Sequence, residues 1–264
     1  MFYRKSSFIE DFKLLIEKCN NVILEIYRKD FEVLLKEDQS PLTQADEKSN
    51  EIIVSYLQEL NKKLSIETNE TFTIISEESK KEKYENRKNC TYAWLVDPID
   101  GTKEFVKKND QFTVNIGLTK NGVPVFGIVS IPVNGSIYIG IEGLGSFKYD
   151  KNISTPLKVL NNKDFNKKNI VVVASASHCN QETQDFIDRL NEPQLINIGS
   201  SIKLLSIAEN KAEIYPRYAP TSEWDTCAAH SVVKYAGGQV LDAYSNEELT
   251  YNKENLLNPY FIVF

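Results

Sequence analysis

The chain has 264 residues, enough for one large domain or two moderate ones, and its 41% hydrophobic and 26% charged content suits a protein with a full core. A formal charge of -6 argues against a nucleic-acid partner, which needs clustered positive charge. Cys19, Cys90, Cys179 and Cys227 are scattered with no CxxC pair, so a thiolate metal site or disulfide framework is not expected and a reducing compartment fits.

The first residues, MFYRKSSFIEDF, are broken by charges at once and do not read as a signal peptide. Phe8, Phe12, Leu15, Cys19, Val22 and Ile26 recur at alternating i+4 and i+3 spacing, which predicts an amphipathic helix with one core-facing side. A polar stretch, KEDQSPLTQAD, interrupts the pattern, and Ile52, Ile53, Tyr56, Leu57 and Leu60 predict a second helix. No apolar run approaches the length needed to span a bilayer.

The period then shortens. FTIIS and YAWLV read as strands that end in acidic residues. FTVNIGLT, VPVFGIVSIP and SIYIGI follow, with reversals at Asn121-Gly122 and Asn134-Gly135, and predict an antiparallel meander. Pro132 belongs at a strand end or bulge. In the second half NIVVVASAS, LINIG, AEIYPRY and QVLDA read as strands. ETQDFIDRL, SSIKLLSIAEN and DTCAAHSVVKYAGG read as helices, the last stopped by Gly237-Gly238. The expected architecture is therefore two mixed α/β halves, residues 1–150 and 151–264, with no internal repeat.

Acidic residues stand at three element ends: Glu77 and Glu78 after FTIIS, Asp97 and Asp100 after YAWLV, and Asp225 after the loop that leads into the last helix. Asp-Pro and Asp-Gly are also common turn formers, so the run DPIDGT alone reads equally well as a surface turn. Trp94, Leu95 and Val96 make the preceding strand a buried one, however, which puts the carboxylates at its mouth, where α/β proteins place ligands. Assembled carboxylates repel one another, and a cation is the usual reason to gather them. An all-oxygen set favours Mg2+ or Mn2+. Asp97 could bridge two ions between Glu77 and Asp100, with Ile99 offering its carbonyl, an arrangement suited to phosphate-ester hydrolysis. Gly101 allows close backbone approach, and Thr102 could open a helix whose N–H groups face phosphate while its hydroxyl positions a water.

These residues carry a resemblance. SEES with Glu77-Glu78, DPIDGTKEF from Asp97 to Phe105, EWDTCAAH with Asp225, and the upstream KEDQSPLTQAD resemble the inositol monophosphatase superfamily of lithium-sensitive, Mg2+-dependent phosphatases. More narrowly, TKEF, FTVNIGL, GSSIKLLSIAENKAEIYPRYAPTSEWDT and LLNPYF resemble its CysQ-type 3'(2'),5'-bisphosphate nucleotidases. The resemblance covers nearly the whole chain and implies an α+β, layered αβαβα sugar-phosphatase fold with the active site between the two halves. It implies a phosphoric monoester hydrolase of sulfur metabolism that converts 3'-phosphoadenosine 5'-phosphate to AMP and phosphate. An inositol or sugar-phosphate phosphatase of the same superfamily is the alternative. Two or three Mg2+ ions, with Mn2+ as substitute, would be held by Glu77, Asp97, the Ile99 carbonyl, Asp100 and Asp225. The implied catalytic residues are Asp46, Thr102 and Glu77, with Thr102 orienting a water and Asp46 drawing on its hydroxyl. Lys36, Gly101, Thr102, Ser200, Lys203, Arg217 and Asp225 would contact substrate. The implied protein is cytoplasmic, monomeric or homodimeric, with peripheral attachment to the cytoplasmic face of a membrane left open.

One departure stands out: where family members often have Ser-Arg-Ser-His, this chain has SASH from Ser175 to His178, with Ala176 in place of the arginine. His178 reads equally as a substrate contact and as an ordinary loop residue. His230, inside the final helix, reads as structural, and Cys227 as packing.

Overall fold

The computed structural model describes residues 1–36, 41–151, 153–160, 165–175 and 180–264. Two long helices, α1 (Ser6–Tyr27) and α2 (Gln44–Thr68), flank a small antiparallel pair, β1 (Val33–Leu35) and β2 (Pro41–Thr43). Helix α2 starts earlier than its apolar residues suggest, because Thr43 caps it: the Thr43 hydroxyl accepts from Ala45 N at 3.2 Å, and Asp46 bonds back to Thr43 N at 2.8 Å. Asp46 therefore belongs to the first turn of a helix and not to a loop.

There follow β3 (Phe72–Ser76), α3 (Tyr84–Arg87), β4 (Tyr92–Asp100), α4 (Thr102–Val106), β5 (Thr113–Lys120), β6 (Val123–Ile131), β7 (Ser136–Ile141), β8 (Gly145–Asp150) and β9 (Ile153–Leu157). Strands β3 to β9 form one sheet in sequence order. Only β3 and β4 run parallel; every later neighbour is antiparallel, as the meander required. The last two strands, β8 and β9, extend that meander; their largely polar, part-exposed residues carry no apolar alternation by which to read them.

The remainder comprises β10 (Val171–Ser175), α5 (Gln181–Ile187), β11 (Gln194–Ile198), α6 (Ile202–Ala208), β12 (Tyr215–Arg217), α7 (Glu223–Tyr235), β13 (Val240–Asp242) and β14 (Phe261–Val263). Strands β10 and β11 pair in parallel, while β12, β14 and β13 form an antiparallel trio. A bridge from Val172 to Ile214 and the bond Val173 N to Ile214 O join the two groups.

Side-chain alternation along β4 divides the core. Trp94 and Val96 face α1 and α2, packing with Phe12, Ile16, Ile53 and Leu57. Ala93 and Leu95 face the other way, with Leu205, Ala228 and Val232 of α6 and α7. Trp94 stacks on Phe12 with centroids 5.3 Å apart, and each such buried side chain contributes about 1.5–3 kcal/mol. Ile170, Val172, Ile187 and Ile214 form a third cluster beneath α5. The layers are thus α1/α2, the large sheet, α6/α7, the second sheet and α5, an αβαβα stack.

Helix α7 lies directly on the large sheet because its seat is glycine. Gly117, Gly127 and Gly140 are register partners across β5, β6 and β7. A Cβ at Gly127 would stand 2.2 Å from Ala228 O, at Gly140 2.3 Å from Ser231 O, and at Gly117 2.6 Å from Cys227 Sγ. The close approach that these residues permit sets the height of α7, and so of Asp225 near its start, above the sheet.

Candidate active site

The run DPID forms the last four residues of β4. In an unbroken strand, residues three apart point to opposite faces. Here Asp97 pairs with Asn115 and Asp100 with Thr113, so three steps on β4 oppose two on β5, and the bulge returns both carboxylates to the α7-facing side. Asp97 Oδ1 accepts from Ile99 N at 3.0 Å across Pro98, which stiffens the bulge. Glu77 is the first residue beyond β3, and its N–H donates to Val96 O at 3.0 Å, continuing the parallel pairing up to the neighbour of Asp97.

Two further aspartates arrive on helices by one local device. Asp46 is the third residue of α2 and Asp225 the third of α7, and each bonds back to the N-cap amide: Thr43 N to Asp46 Oδ2 and Ser222 N to Asp225 Oδ2, both 2.8 Å. Asp46 Oδ2 also accepts from Thr43 Oγ1 at 2.6 Å, and its Oδ1 lies 3.1 Å from Thr102 Oγ1. The Thr102 hydroxyl is equally 3.1 Å from Ile99 O, so one proton serves two acceptors. Gly101, at φ 95°, turns the chain from β4 into the five-residue α4; a Cβ there would meet Gln111 O at 2.9 Å and Ser200 Cβ at 3.2 Å.

The electrostatics record crowding. Burial raises the Asp97 pKa well above the carboxylate range, with Glu77, Asp100 and Asp225 adding to it. Asp225 rises for the same first reason, with Asp100 as its strongest neighbour. Burial also lifts Asp100, against the pull of Lys203 and of the Ser201 N–H bonded to its Oδ2. Glu78 is pushed up by burial to about 7, opposed by Lys36. The Lys36 ammonium bridges Glu77 at 2.7 Å and Glu78 at 2.5 Å; burial disfavours its charge, but the two carboxylates outweigh burial and raise its pKa.

Next to this cluster opens a cavity of about 360 Å³ between the large sheet and the second sheet. Glu77, Asp100, Gly101, Thr102, Ser200, Lys203, Arg217 and Asp225 all line it, while Asp46, Asp97 and Ile99 are buried behind. The Lys203 ammonium donates to Ser200 O at 2.7 Å and lies 5.6 Å above the Tyr215 ring; burial pulls its pKa down to about 8, with Asp100 opposing. Arg217 donates Nη2 to Pro220 O at 3.1 Å and buries an Nε that has no partner among the described residues.

A model of the inositol monophosphatase family matches residues 5–260. The chain belongs to that family. Within the family it groups with the CysQ-type branch. The 3'(2'),5'-bisphosphate nucleotidase CysQ of Salmonella typhimurium is 36% identical, over 94% of this chain and 96% of that protein. Its namesake from Buchnera aphidicola is 35% identical, over 90% and 85%. The crystal structure of CysQ from Bacteroides thetaiotaomicron matches with a TM-score of 0.82 and 38% identity, covering 100% of this chain and 98% of that one. The IMPase of Thermotoga maritima, at 21% identity, shares the fold with a TM-score of 0.74 over 97% of this chain and 91% of that one.

Membership of this family implies dependence on a divalent metal. Among the described residues, no three acidic, histidine or cysteine side chains converge tightly enough to form a ready coordination sphere. The donor set nevertheless fits a hard cation. Glu77, Asp97, Asp100 and Asp225 offer only oxygen, and each of the three aspartates is held at elevated pKa next to like charge, which a divalent ion would relieve.

Several residues at the site escape sequence reasoning. Ser201, Thr113 and Asn115 stand behind Asp100, and Tyr215 and Thr221 line the cavity. The available signal for Thr113 and Asn115 was their polarity at alternate positions of an otherwise apolar strand. His230 is fully buried between Tyr251 OH at 2.9 Å and Glu248 at 3.0 Å, a structural role. Cys227 packs against Gly117. Of the SASH segment, Ser175 lines the cavity, while Ala176, Ser177 and His178 lie outside the described residues. Among the described residues no helix is long and apolar enough to cross a membrane.

Proposed function

We propose that this chain is a Mg2+-dependent phosphomonoesterase that removes the 3'-phosphate of a nucleotide bisphosphate, turning 3'-phosphoadenosine 5'-phosphate into AMP and inorganic phosphate. The observation that carries the reading is the Asp46–Thr102 pair, bonded at 3.1 Å, with Thr102 on the wall of a cavity that Glu77, Asp100 and Asp225 also line and Asp46 buried behind it. In this reading residues 1–150 carry every metal ligand but one, and residues 151–264 supply Asp225 and the substrate-side groups.

Glu77, Asp97, the Ile99 carbonyl, Asp100 and Asp225 would hold two or three Mg2+ ions, which Mn2+ could replace. When bound, such ions stabilise charge on phosphoryl oxygens and acidify a water. The chain's own residues do the rest. Asp46 has committed Oδ2 to Thr43, so it acts through Oδ1 on Thr102 and not on substrate. Burial raises its pKa, which makes it the better proton acceptor. With its hydroxyl proton shared between Asp46 and the Ile99 carbonyl, the Thr102 oxygen keeps lone pairs for a water in the cavity and sets that water's orientation. Gly101, having no side chain, lets the backbone approach phosphate. Lys203 and Arg217 line the cavity and would offer two cations to a substrate with a second phosphate, and Ser200, whose carbonyl accepts from Lys203, lines it with them. Lys36, paired with Glu77 and Glu78 and not among the residues that line the cavity, would have to leave those partners to meet a phosphate oxygen.

The test is Mg2+-dependent phosphate release by D97A and T102A. Loss of activity in both supports these roles; parental rates in either contradict them.

A further inference from the structure

Behind Asp100 is a closed ring of three buried polar side chains to which the reaction described above gives no part. Thr113 and Asn115 stand two apart on β5, opposite Asp100 and Asp97, and both are fully buried. Ser201 reaches them from the start of α6 and is 1% exposed. Asn115 Nδ2 donates to Thr113 Oγ1 at 3.0 Å, Ser201 Oγ donates to Asn115 Oδ1 at 2.8 Å, and the two hydroxyl oxygens are 2.7 Å apart. Ser201 has one hydroxyl proton and has given it to Asn115, so Thr113 must donate to Ser201. The three bonds then run in one sense around the ring, with each group donating once and accepting once.

Such a ring strengthens its own bonds by mutual polarisation, and it leaves none of its members rotational freedom. Its consequence lies at Ser201, whose backbone N–H donates to Asp100 Oδ2. Ser200, at φ 49°, turns the chain in the left-handed region immediately before that amide and so aims it. The flanking positions Val114 and Ile116 are ordinary core. Polar groups in the same strand cost desolvation energy unless they are hydrogen-bonded, and these three bond to one another, which points to a positional task.

We propose that Thr113, Asn115 and Ser201 are positioning residues for Asp100. The ring fixes Ser201, the Ser201 amide fixes the Asp100 carboxylate, and the same contact locks the end of β4 to the wall that carries Ser200 and Lys203. The inference rests on the assignment of Asp100 as a metal ligand.

Thr113→Val keeps the side-chain shape and removes the ring hydroxyl, whereas Thr113→Ser keeps the hydroxyl. Affinity for Mn2+ is read by calorimetric titration of the folded protein without substrate, and kcat and KM are read separately on the nucleotide. The expected T113V protein melts cooperatively and binds Mn2+ about 10–100-fold more weakly. Its kcat falls while KM stays within about twofold, and T113S restores both. A folded T113V with parental Mn2+ affinity overturns the proposal, since a merely structural ring would lower stability and leave the metal titration unmoved. Should T113V fail to fold, Ser201→Ala under the same titration decides in the same way. A parent protein that binds Mn2+ yet hydrolyses no nucleotide would defeat the proposed function and not the ring, because the titration needs no substrate.

Discussion

Gly127→Ala adds one methyl group far from any reacting atom, and it should disable the site. The new Cβ would lie 2.2 Å from Ala228 O, and ordinary contact begins near 3.4 Å, so α7 must retreat by about 1 Å or the sheet must bend. The nearest obstacles are the Ala228 backbone and the Ser231 Cβ, neither of which can swing away. Overpacking of this kind costs about 1–3 kcal/mol, which for a chain of this size lowers Tm by roughly 2–10 °C. Ala228 is one helical turn from Asp225, so the shift reaches a proposed metal ligand, and a 1 Å misplacement can cost about 100-fold in rate. Differential scanning calorimetry with and without Mg2+, together with kcat at saturating Mg2+, checks both parts. A G127A protein with parental Tm and parental kcat would refute the claim that the glycine row sets the height of Asp225.

The crowded carboxylates also predict a pH-dependent response to metal. Asp97, Asp100 and Asp225 have folded pKa values above the ordinary range, with Asp100 at about 6 and Asp225 at about 8, so the folded state holds their protons more tightly than the unfolded chain. The stability they contribute is full below about pH 4 and is lost as pH rises through those values. The Tm gained on adding Mg2+ should therefore grow from about pH 5 to about pH 8, and a gain independent of pH would contradict it. Lys203, held down to about 8 by burial, should lose its charge as pH passes that value, so KM for the nucleotide should rise by up to about tenfold per pH unit above it. Lys203→Arg, always protonated, should flatten that rise.

Parts of this arrangement were legible in the sequence for identifiable reasons. Glu77, Asp97 and Asp100 follow short apolar runs, and a carboxylate at the mouth of a buried strand is visible without coordinates. The antiparallel meander was written in its Asn-Gly turns. The start of α2 was misjudged although its signal was present. Thr43-Gln44-Ala45-Asp46 and Ser222-Glu223-Trp224-Asp225 both have the spacing of a capping box, which places each aspartate inside a first turn and not in a preceding loop. Other features depend on register, which one-dimensional spacing does not carry. Gly117, Gly127 and Gly140 align only when three strands pair, and the bulge that turns Asp97 and Asp100 to one face appears only against Thr113 and Asn115. Ser201 reaches Asp100 across 101 residues of chain, so its role is a product of tertiary folding alone.

The central claim is tested most directly by phosphate release from one preparation given 3'-phosphoadenosine 5'-phosphate, inositol 1-phosphate and fructose 1,6-bisphosphate in turn, with Mg2+ and then with excess EDTA. The account predicts rapid, Mg2+-dependent release from the nucleotide, with AMP as co-product, and much slower release from the other two. Equal or faster turnover of inositol phosphate would contradict the substrate assignment, and undiminished release in EDTA would contradict the metal chemistry.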